Sequence, residues 1–199
     1  SPGILEFDNV ELFANGVGGT GSPSGVGLGG LVTISDLSPD PDGLMSFGSL
    51  FVDATGVAPI PGGGFLMVGG SGVTNVAGGV VVDVAGDIVY NFDGDGQRVV
   101  GSGAQLNAGN DIIVTHTNNT ADVISIDSAS GITALAVGDI DAQAGSILSG
   151  TELFLLASGD ISADDLRAVP GIVITAGGNV LLNNALATGP QGVSNISGI

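Results

Sequence analysis

Apolar residues alternate with polar or small residues along most of this chain, and the alternation stops at short corners rich in Gly and Asp. The stretch 153–163 (LFLLASGDISA) shows the unit: an apolar run that resembles a strand, a small residue, Gly-Asp, and one more apolar residue. Alternation with a period of two predicts β-strands that bury one face. The unit therefore predicts a strand, a corner and the start of a second strand.

This unit recurs along the C-terminal two-thirds of the chain, which is typical of a repeat architecture. A partial copy without the aspartate lies earlier, at 50–56. In one corner Asn110 takes the place of glycine, and we expect Asn there because it tolerates the left-handed backbone conformation that glycine otherwise supplies. The corners are Gly86-Asp87, Asn110-Asp111, Gly138-Asp139, Gly159-Asp160 and Gly178-Asn179.

Repeats of about 20 residues that carry strands predict a β-solenoid, in which each strand pairs in parallel with its counterpart in the next coil. Equivalent residues then stack about 4.8 Å apart, so that like side chains form columns. We predict an all-β chain whose residues 71–199 form a right-handed parallel β-helix, with about eight to ten coils in all. The alternative fold is a β-sandwich in which residues 1–15 of one subunit complete the sheet of the next.

Residues 1–70 lack the full repeat, and residues 16–30 are a glycine-rich, low-complexity stretch typical of a loop or linker. We predict that this segment forms irregular early coils or a small β-region that caps, joins or contacts the solenoid. Its strands are predicted at Ile4–Phe13, Leu31–Ser35, Leu44–Asp53 and Phe65–Gly69.

Net charge narrows the range of partners. The chain has a formal charge of −18, two arginines and no lysine, so it would repel nucleic acid and anionic membrane surfaces and attract divalent cations. No apolar run approaches the ~18 residues that span a bilayer, so we predict no membrane insertion.

The chain has no cysteine, which favours a bacterial surface protein. Its Ser-Pro-Gly start is no signal peptide, and we expect a processed form or a segment of a longer protein.

The frames LFLLASGDISADDL (153–166) and IVITAGGNVLLNNA (172–185) resemble the repeat region of filamentous-haemagglutinin-like proteins, which are right-handed β-helix exoproteins of Gram-negative bacteria. The resemblance covers roughly residues 79–188 and consists of apolar, Gly and Asp/Asn positions, while the secretion motifs of that family are not evident in residues 1–70. It implies an extracellular, elongated, adhesive or structural protein at a bacterial surface. Its implied partners are further repeats or copies of itself, and a host or neighbouring-cell surface or glycan.

The Gly-Asp corners have two interpretations. As a site, their aspartates would form a ladder of carboxylates for a ligand or metal. As scaffold, glycine supplies a positive φ while Asp or Asn caps its own turn through nearby backbone groups. Asn179 favours the scaffold, because a site that depends on charge would not alternate between Asp and Asn.

Two other stretches place oxygen ligands at alternate positions before a glycine, as in the first half of a calcium loop. Neither has the bidentate Glu that an EF-hand carries six residues later, since Ser102 and Ser49 stand there. What remains is a weak extracellular calcium site or a polar turn. A calcium site would favour the alternative function of a calcium-dependent carbohydrate- or cell-binding module. The candidate calcium ligands are Asn91, Asp93 and Asp95 in one stretch and Asp40 and Asp42 in the other.

Parallel β-helices also include polysaccharide-cleaving enzymes, for which paired carboxylates such as Asp139/Asp141 or Asp164/Asp165 are candidates. Such lyases need basic residues to bind acidic sugars, and this chain has two arginines and one histidine, His116, beside a polar turn. We therefore predict a protein that is not an enzyme and requires no cofactor.

The two arginines are expected to form local ion pairs. Arg98 lies near Asp95 in sequence, and Arg167 lies near Asp164 and Asp165. An exposed pair of this kind stabilises by at most ~1 kcal/mol.

Overall fold

The computed structural model describes the strands of the chain, most of the turns between them, and all of residues 130–188. Within the described part the chain is all-β, with eighteen strands and no helix. It holds no helix long and apolar enough to cross a membrane. The described ranges are 4–14, 31–35, 44–54, 64–69, 73–76, 78–92, 99–101, 103–116, 124–128, 130–188 and 194–198.

The strands are short except where one strand continues across a corner, as in β1, β3 and β13. Their bounds are β1 Ile4–Phe13, β2 Leu31–Ser35, β3 Leu44–Ala54, β4 Gly64–Gly69, β5 Val73–Val76, β6 Gly79–Val84, β7 Ile88–Phe92, β8 Val99–Gly101, β9 Gly103–Ala108, β10 Ile112–His116, β11 Ile124–Ser128, β12 Ile132–Ala136, β13 Ile140–Ser149, β14 Leu153–Ala157, β15 Ile161–Ala168, β16 Ile172–Ala176, β17 Val180–Ala187 and β18 Ser194–Ser197.

Every strand pairing among the described residues is parallel, and each strand pairs with strands that lie one repeat before and after it. The first column of paired strands contains β1, β3, β6, β9, β12, β14, β16 and β18. The second contains β2, β4, β7, β10 and the N-terminal parts of β13, β15 and β17. The third contains the N-terminal parts of β1 and β3, then β5, β8, β11 and the C-terminal parts of β13, β15 and β17. These parallel columns are compatible with a β-solenoid.

The register of the pairing confirms the alignment of repeats made from the sequence. Ile112 pairs with Ile140, which pairs with Ile161, and Ile161 pairs with Val180. The partial copy also fits, because residues 50–54 pair with residues 80–84. Like side chains therefore do stack on like, as the repeat predicted.

The core follows from the alternation along each strand. In β14, Leu153, Leu155 and Ala157 are buried, whereas Phe154 and Leu156 between them are exposed. Buried residues of neighbouring repeats form one continuous apolar cluster from Phe47 to Ala176. Because the side-chain period is two, a slip of one residue in any repeat would turn its whole apolar set outward.

The strands predicted within residues 1–70 are present and differ from prediction by one residue at most, at Ala54 and Gly64. They join the same columns, because β3 pairs with β6 and β4 with β7. Pairing thus continues across residue 70. The sandwich alternative gains no support, since β1 pairs in parallel with β3 of its own chain.

Leu155 and Leu156 allow a matched test of this core. We expect Leu155→Ala to lower the free energy of unfolding by about 2–5 kcal/mol, because it leaves a cavity at a position that is 1% exposed. Leu156→Ala, on the opposite face and 46% exposed, should change it by about 0.5 kcal/mol or less. Urea unfolding followed by circular dichroism measures both; equal losses for the two variants would contradict the assignment of faces.

Candidate functional site

The aspartates of the Gly-Asp corners form a chain of hydrogen bonds that runs from repeat to repeat. The backbone N–H of Asp139 donates to Asp111 Oδ1 at 2.8 Å, that of Asp160 to Asp139 Oδ1 at 2.7 Å, and that of Asn179 to Asp160 Oδ1 at 2.6 Å. We call the set Asp87, Asp111, Asp139, Asp160 and Asn179 the corner ladder. A charged acceptor strengthens each of these bonds, so the ladder fastens every corner to the one before it.

This geometry corrects the predicted role of the aspartates, which was to cap their own turns. Each carboxylate instead accepts from the N–H of the following repeat, 19 to 28 residues later in the chain. The turns themselves are held by backbone bonds between glycine positions, such as Gly159 N–H to Gly138 O at 3.0 Å. The scaffold interpretation of the corners is thus supported, but through contacts between repeats.

The predicted role of the glycines is also wrong. Gly138, Gly159 and Gly178 do not have the positive φ that would require glycine. A Cβ at any of them would overlap the Oδ1 atom of the aspartate in the preceding repeat, which is Asp111 for Gly138 and Asp139 for Gly159. Glycine is needed because a carboxylate of the previous repeat fills the space of its side chain.

Asn110 shows how the ladder accommodates a side chain at the glycine position. Its Nδ2 donates to Asp87 Oδ1 at 2.7 Å, and the bond from the Asp111 N–H to the same oxygen lengthens to 3.2 Å. The amide therefore replaces part of what the backbone N–H supplies elsewhere. Asn fits here because its amide donates to that carboxylate, and the predicted tolerance of a left-handed conformation stays a prediction.

Further asparagines stack on aspartates and relieve the repulsion between like charges. Asn183 Nδ2 donates to Asp164 Oδ1 at 2.7 Å and Asn184 Nδ2 to Asp165 Oδ1 at 2.9 Å. Like charges on neighbouring strands are destabilising, so an amide beside a carboxylate supplies a donor in place of a second charge. The alternation of Asp and Asn thus has a structural reason.

The carboxylate pairs that were weighed for catalysis take part in the same network. Asp141 Oδ1 accepts from Ser162 Oγ at 3.1 Å and from the Gln143 N–H at 3.2 Å. Asp165 also forms the predicted ion pair with Arg167, with 2.7 Å between Oδ2 and Nη2. Within the described ranges these carboxylates thus bind backbone, hydroxyl, amide and guanidinium donors of their own chain.

An open groove of about 370 Å³ lies beside the corner ladder and is lined by Asp139, Asp141, Asp160, Ser162 and Asn179 among others. Its polar groups are mainly hydrogen-bond acceptors, and no cationic side chain of the described residues lines it. The groove can accept hydrogen bonds from a ligand but contains no acid–base pair of unlike groups.

The candidate calcium ligands lie mostly outside the described residues. This holds for Asp40, Asp42, Asp93 and Asp95, while Asn91 ends up in strand β7 with its side chain not described. Among the described residues no group of three or more His, Cys, Asp or Glu side chains could hold a metal. Calcium binding stays a prediction, which calorimetry on the wild type and Asp93→Ala would test.

His116 is the last residue of β10, and Arg98 lies outside the described ranges.

A second polar corner was missed from the sequence. Ser128 and Ser149 are buried at 1% and 5% exposure and stand opposite each other in the register of β11 and β13. The Ser149 hydroxyl lies 2.9 Å from the carbonyl oxygens of Ser130 and Glu152. Serine is common in turns, so only its burial, which the sequence does not display, distinguishes this pair.

One carboxylate on the outer face of the first column has a displaced pKa. Desolvation by partial burial raises the pKa of Asp83, and the negative charge of Asp53, its partner in the register, raises it further. Because the folded-state pKa lies above the ordinary value of 3.8, the folded protein holds this proton more tightly than the unfolded chain does. The contribution of Asp83 to stability is therefore full below pH 3.8 and is lost as the pH rises through the raised pKa.

Comparison of the chain with known protein families, curated proteins and solved structures gives no match.

Gly159 tests the corner ladder. We expect Gly159→Ala to lower the free energy of unfolding by about 1–3 kcal/mol, because its Cβ must displace the Asp139 carboxylate. Gly159→Asn should lower it by less, about 1 kcal/mol, because its amide can donate to that carboxylate as Asn110 donates to Asp87. Urea unfolding measures both. If Asn proved as costly as Ala, the donor explanation for Asn110 would be wrong.

Asp83→Asn tests the charge pair on the outer face. The variant should melt at a higher temperature than the wild type near pH 7, and the gain should vanish near pH 3, where the wild-type carboxyl is protonated in both states. Thermal unfolding followed by circular dichroism across this range checks it. Asp53→Asn is the control and should raise the melting temperature by less. It removes the charge that is the second cause of the raised pKa of Asp83, but it leaves the desolvation of Asp83 in place. A difference between Asp83→Asn and wild type that does not vary with pH would contradict the assignment.

Proposed function

We propose that this chain is a segment of a right-handed parallel β-helix that serves as a non-catalytic structural and adhesive element on the outside of a bacterial cell. The observation that carries the proposal is the corner ladder, which fastens each repeat to the next by the same contact. A protein built this way is an elongated rod whose length is set by the number of its repeats. The resemblance to filamentous-haemagglutinin-like exoproteins supports the bacterial surface.

The ends of the described stack support contacts from end to end. Phe7 lies in β1, the first strand of the stack, and its ring stacks on that of buried Phe47 with 5.2 Å between the ring centroids. Phe7 itself is 46% exposed. At the other end Ile196 pairs with Ile174, which is fully buried, yet Ile196 is 47% exposed. Positions that are buried in the inner repeats are thus exposed in the first and last strands of the stack. A further repeat or a second copy would cover them there.

The outer faces support adhesion. They are acidic, and they also carry exposed apolar side chains, including Val137 at 65% and Leu181 at 61%. Exposed apolar groups amid polar ones are a common feature of interaction surfaces. The proposed partners are a host or neighbouring-cell surface or its glycans, together with further repeats or copies of the chain itself. Catalysis and a required cofactor have no part in the proposal.

Electron microscopy of the purified chain tests the rod and its ends. Eight stacked strands about 4.8 Å apart span roughly 35 Å, and we expect particles of constant width whose length grows with protein concentration. Ile196→Asp should shorten them, because it places a charge on the apolar end.

The control is Leu181→Asp, which changes an exposed apolar residue on a lateral face. It should leave the particle length unchanged. Particles of one fixed length at every concentration, or equal shortening by both variants, would refute stacking from end to end.

A further inference from the structure

A groove of about 460 Å³ lies on the outer face of the first column and shares no lining residue with the acidic groove beside the corner ladder. Strands β6, β9, β12 and β14 supply its lining, which includes Asp83, Asn107, Leu135, Val137 and Leu156. The register explains why these residues meet: Asp83 pairs with Asn107, Asn107 with Leu135, and Leu135 with Leu156. The groove therefore has a polar end and an apolar end, one repeat apart.

At the polar end, an acceptor lacks its donor. Asn107 Oδ1 is buried from solvent and has no hydrogen-bond partner among the described residues. A buried polar atom without a partner destabilises the folded protein, and natural proteins leave few such atoms unsatisfied. A ligand with an N–H donor would satisfy it.

The same end is negatively charged. Asp83 lines the groove, and Asp53 stands beside it in the preceding repeat. Their mutual repulsion adds to the rise in the pKa of Asp83. The chain has no lysine, and the one arginine among the described residues, Arg167, is engaged by Asp165. A cation from outside would lower the repulsion and supply the missing donor at once.

The apolar end fits a short hydrocarbon chain. Leu156 is 46% exposed and Val137 65% exposed, both on the groove wall. Gly109 also lines the groove, where it packs so closely on the backbone of Ala85 that a Cβ would overlap it. Covering these side chains would remove apolar surface from water at about 25 cal/mol per Å².

We propose that this groove binds small organic cations that carry a primary ammonium group on a short alkyl chain. The ammonium lies at Asp83 and donates to Asn107 Oδ1, while the alkyl chain packs on Leu135, Val137 and Leu156. This binding is independent of stacking from end to end, because every residue involved lies in inner repeats.

Titration of the full chain with n-hexylammonium, followed by backbone amide chemical shifts, tests the site. We expect saturable shifts centred on Asp83, Asn107, Leu135 and Leu156, with a dissociation constant on the order of 1–10 mM. Asp83→Asn should weaken binding by about ten-fold or more, because a charged acceptor is lost. Leu156→Ser should also weaken it, by removing part of the apolar wall.

Matched probes and a matched variant separate this site from general attraction to an acidic protein. Hexan-1-ol lacks the charge and hexyltrimethylammonium lacks N–H donors. Each should therefore bind at least about ten-fold more weakly than n-hexylammonium. Asp141→Asn removes one charge outside the groove and should leave binding unchanged. The proposal is overturned if Asp83→Asn binds like wild type, if hexyltrimethylammonium binds as well as hexylammonium, or if the shifts spread over all acidic faces.

Discussion

The hydrogen bond from a backbone N–H to the carboxylate of the preceding repeat is the contact on which the rest of the structure depends. It fixes the corner between the first and second columns, as in the 2.7 Å bond from the Asp160 N–H to Asp139 Oδ1. Once the corner is fixed, the strands on both sides of it are in register, and Leu155 and Ile161 turn inward. Since a shift of one residue would reverse every side chain, a single polar contact in each repeat protects the whole apolar core.

Much of the fold follows from local patterns, and these are what a sequence displays. Alternation along a strand is a property of neighbouring residues, so it predicted the bounds of β1 and β2. The repeat frames predicted the register because identical frames stack best when they are aligned. What the sequence did not reveal depends on atoms that meet between repeats. The need for glycine at position 159 comes from a carboxylate 20 residues earlier, and the donor role of Asn110 from one 23 residues earlier. Predicting the groove at Asp83 and Asn107 also requires knowing which residues pair between repeats.

Hydrogen bonds between repeats also explain how the fold tolerates its net charge of −18. A stack of carboxylates one repeat apart is unfavourable in itself, yet each ladder carboxylate binds a backbone N–H, and Asp87 and Asp160 also bind the amide group of an Asn. The negative charge on this face is thus balanced by dipoles and amides. At Asp53 and Asp83 the two carboxylates are neighbours in the register, and there the second charge adds to desolvation by burial in raising the pKa of Asp83.

The need for glycine is passed from one repeat to the next. The aspartate of one repeat restricts the following corner to glycine or, as at position 110, to a residue whose side chain donates to that aspartate, so the repeating unit of this architecture is a pair of residues in adjacent repeats. Most repeats carry a glycine that fits the preceding aspartate and an aspartate that constrains the next repeat, and the exceptions are Asn110 and Asn179. A whole repeat that is duplicated or deleted therefore joins its new neighbours without a mismatch, and the spacing between corners can vary, as the 28 residues between the Asp111 and Asp139 positions and the 19 between Asp160 and Asn179 show. Such a chain can change its length in evolution by recombination in single steps.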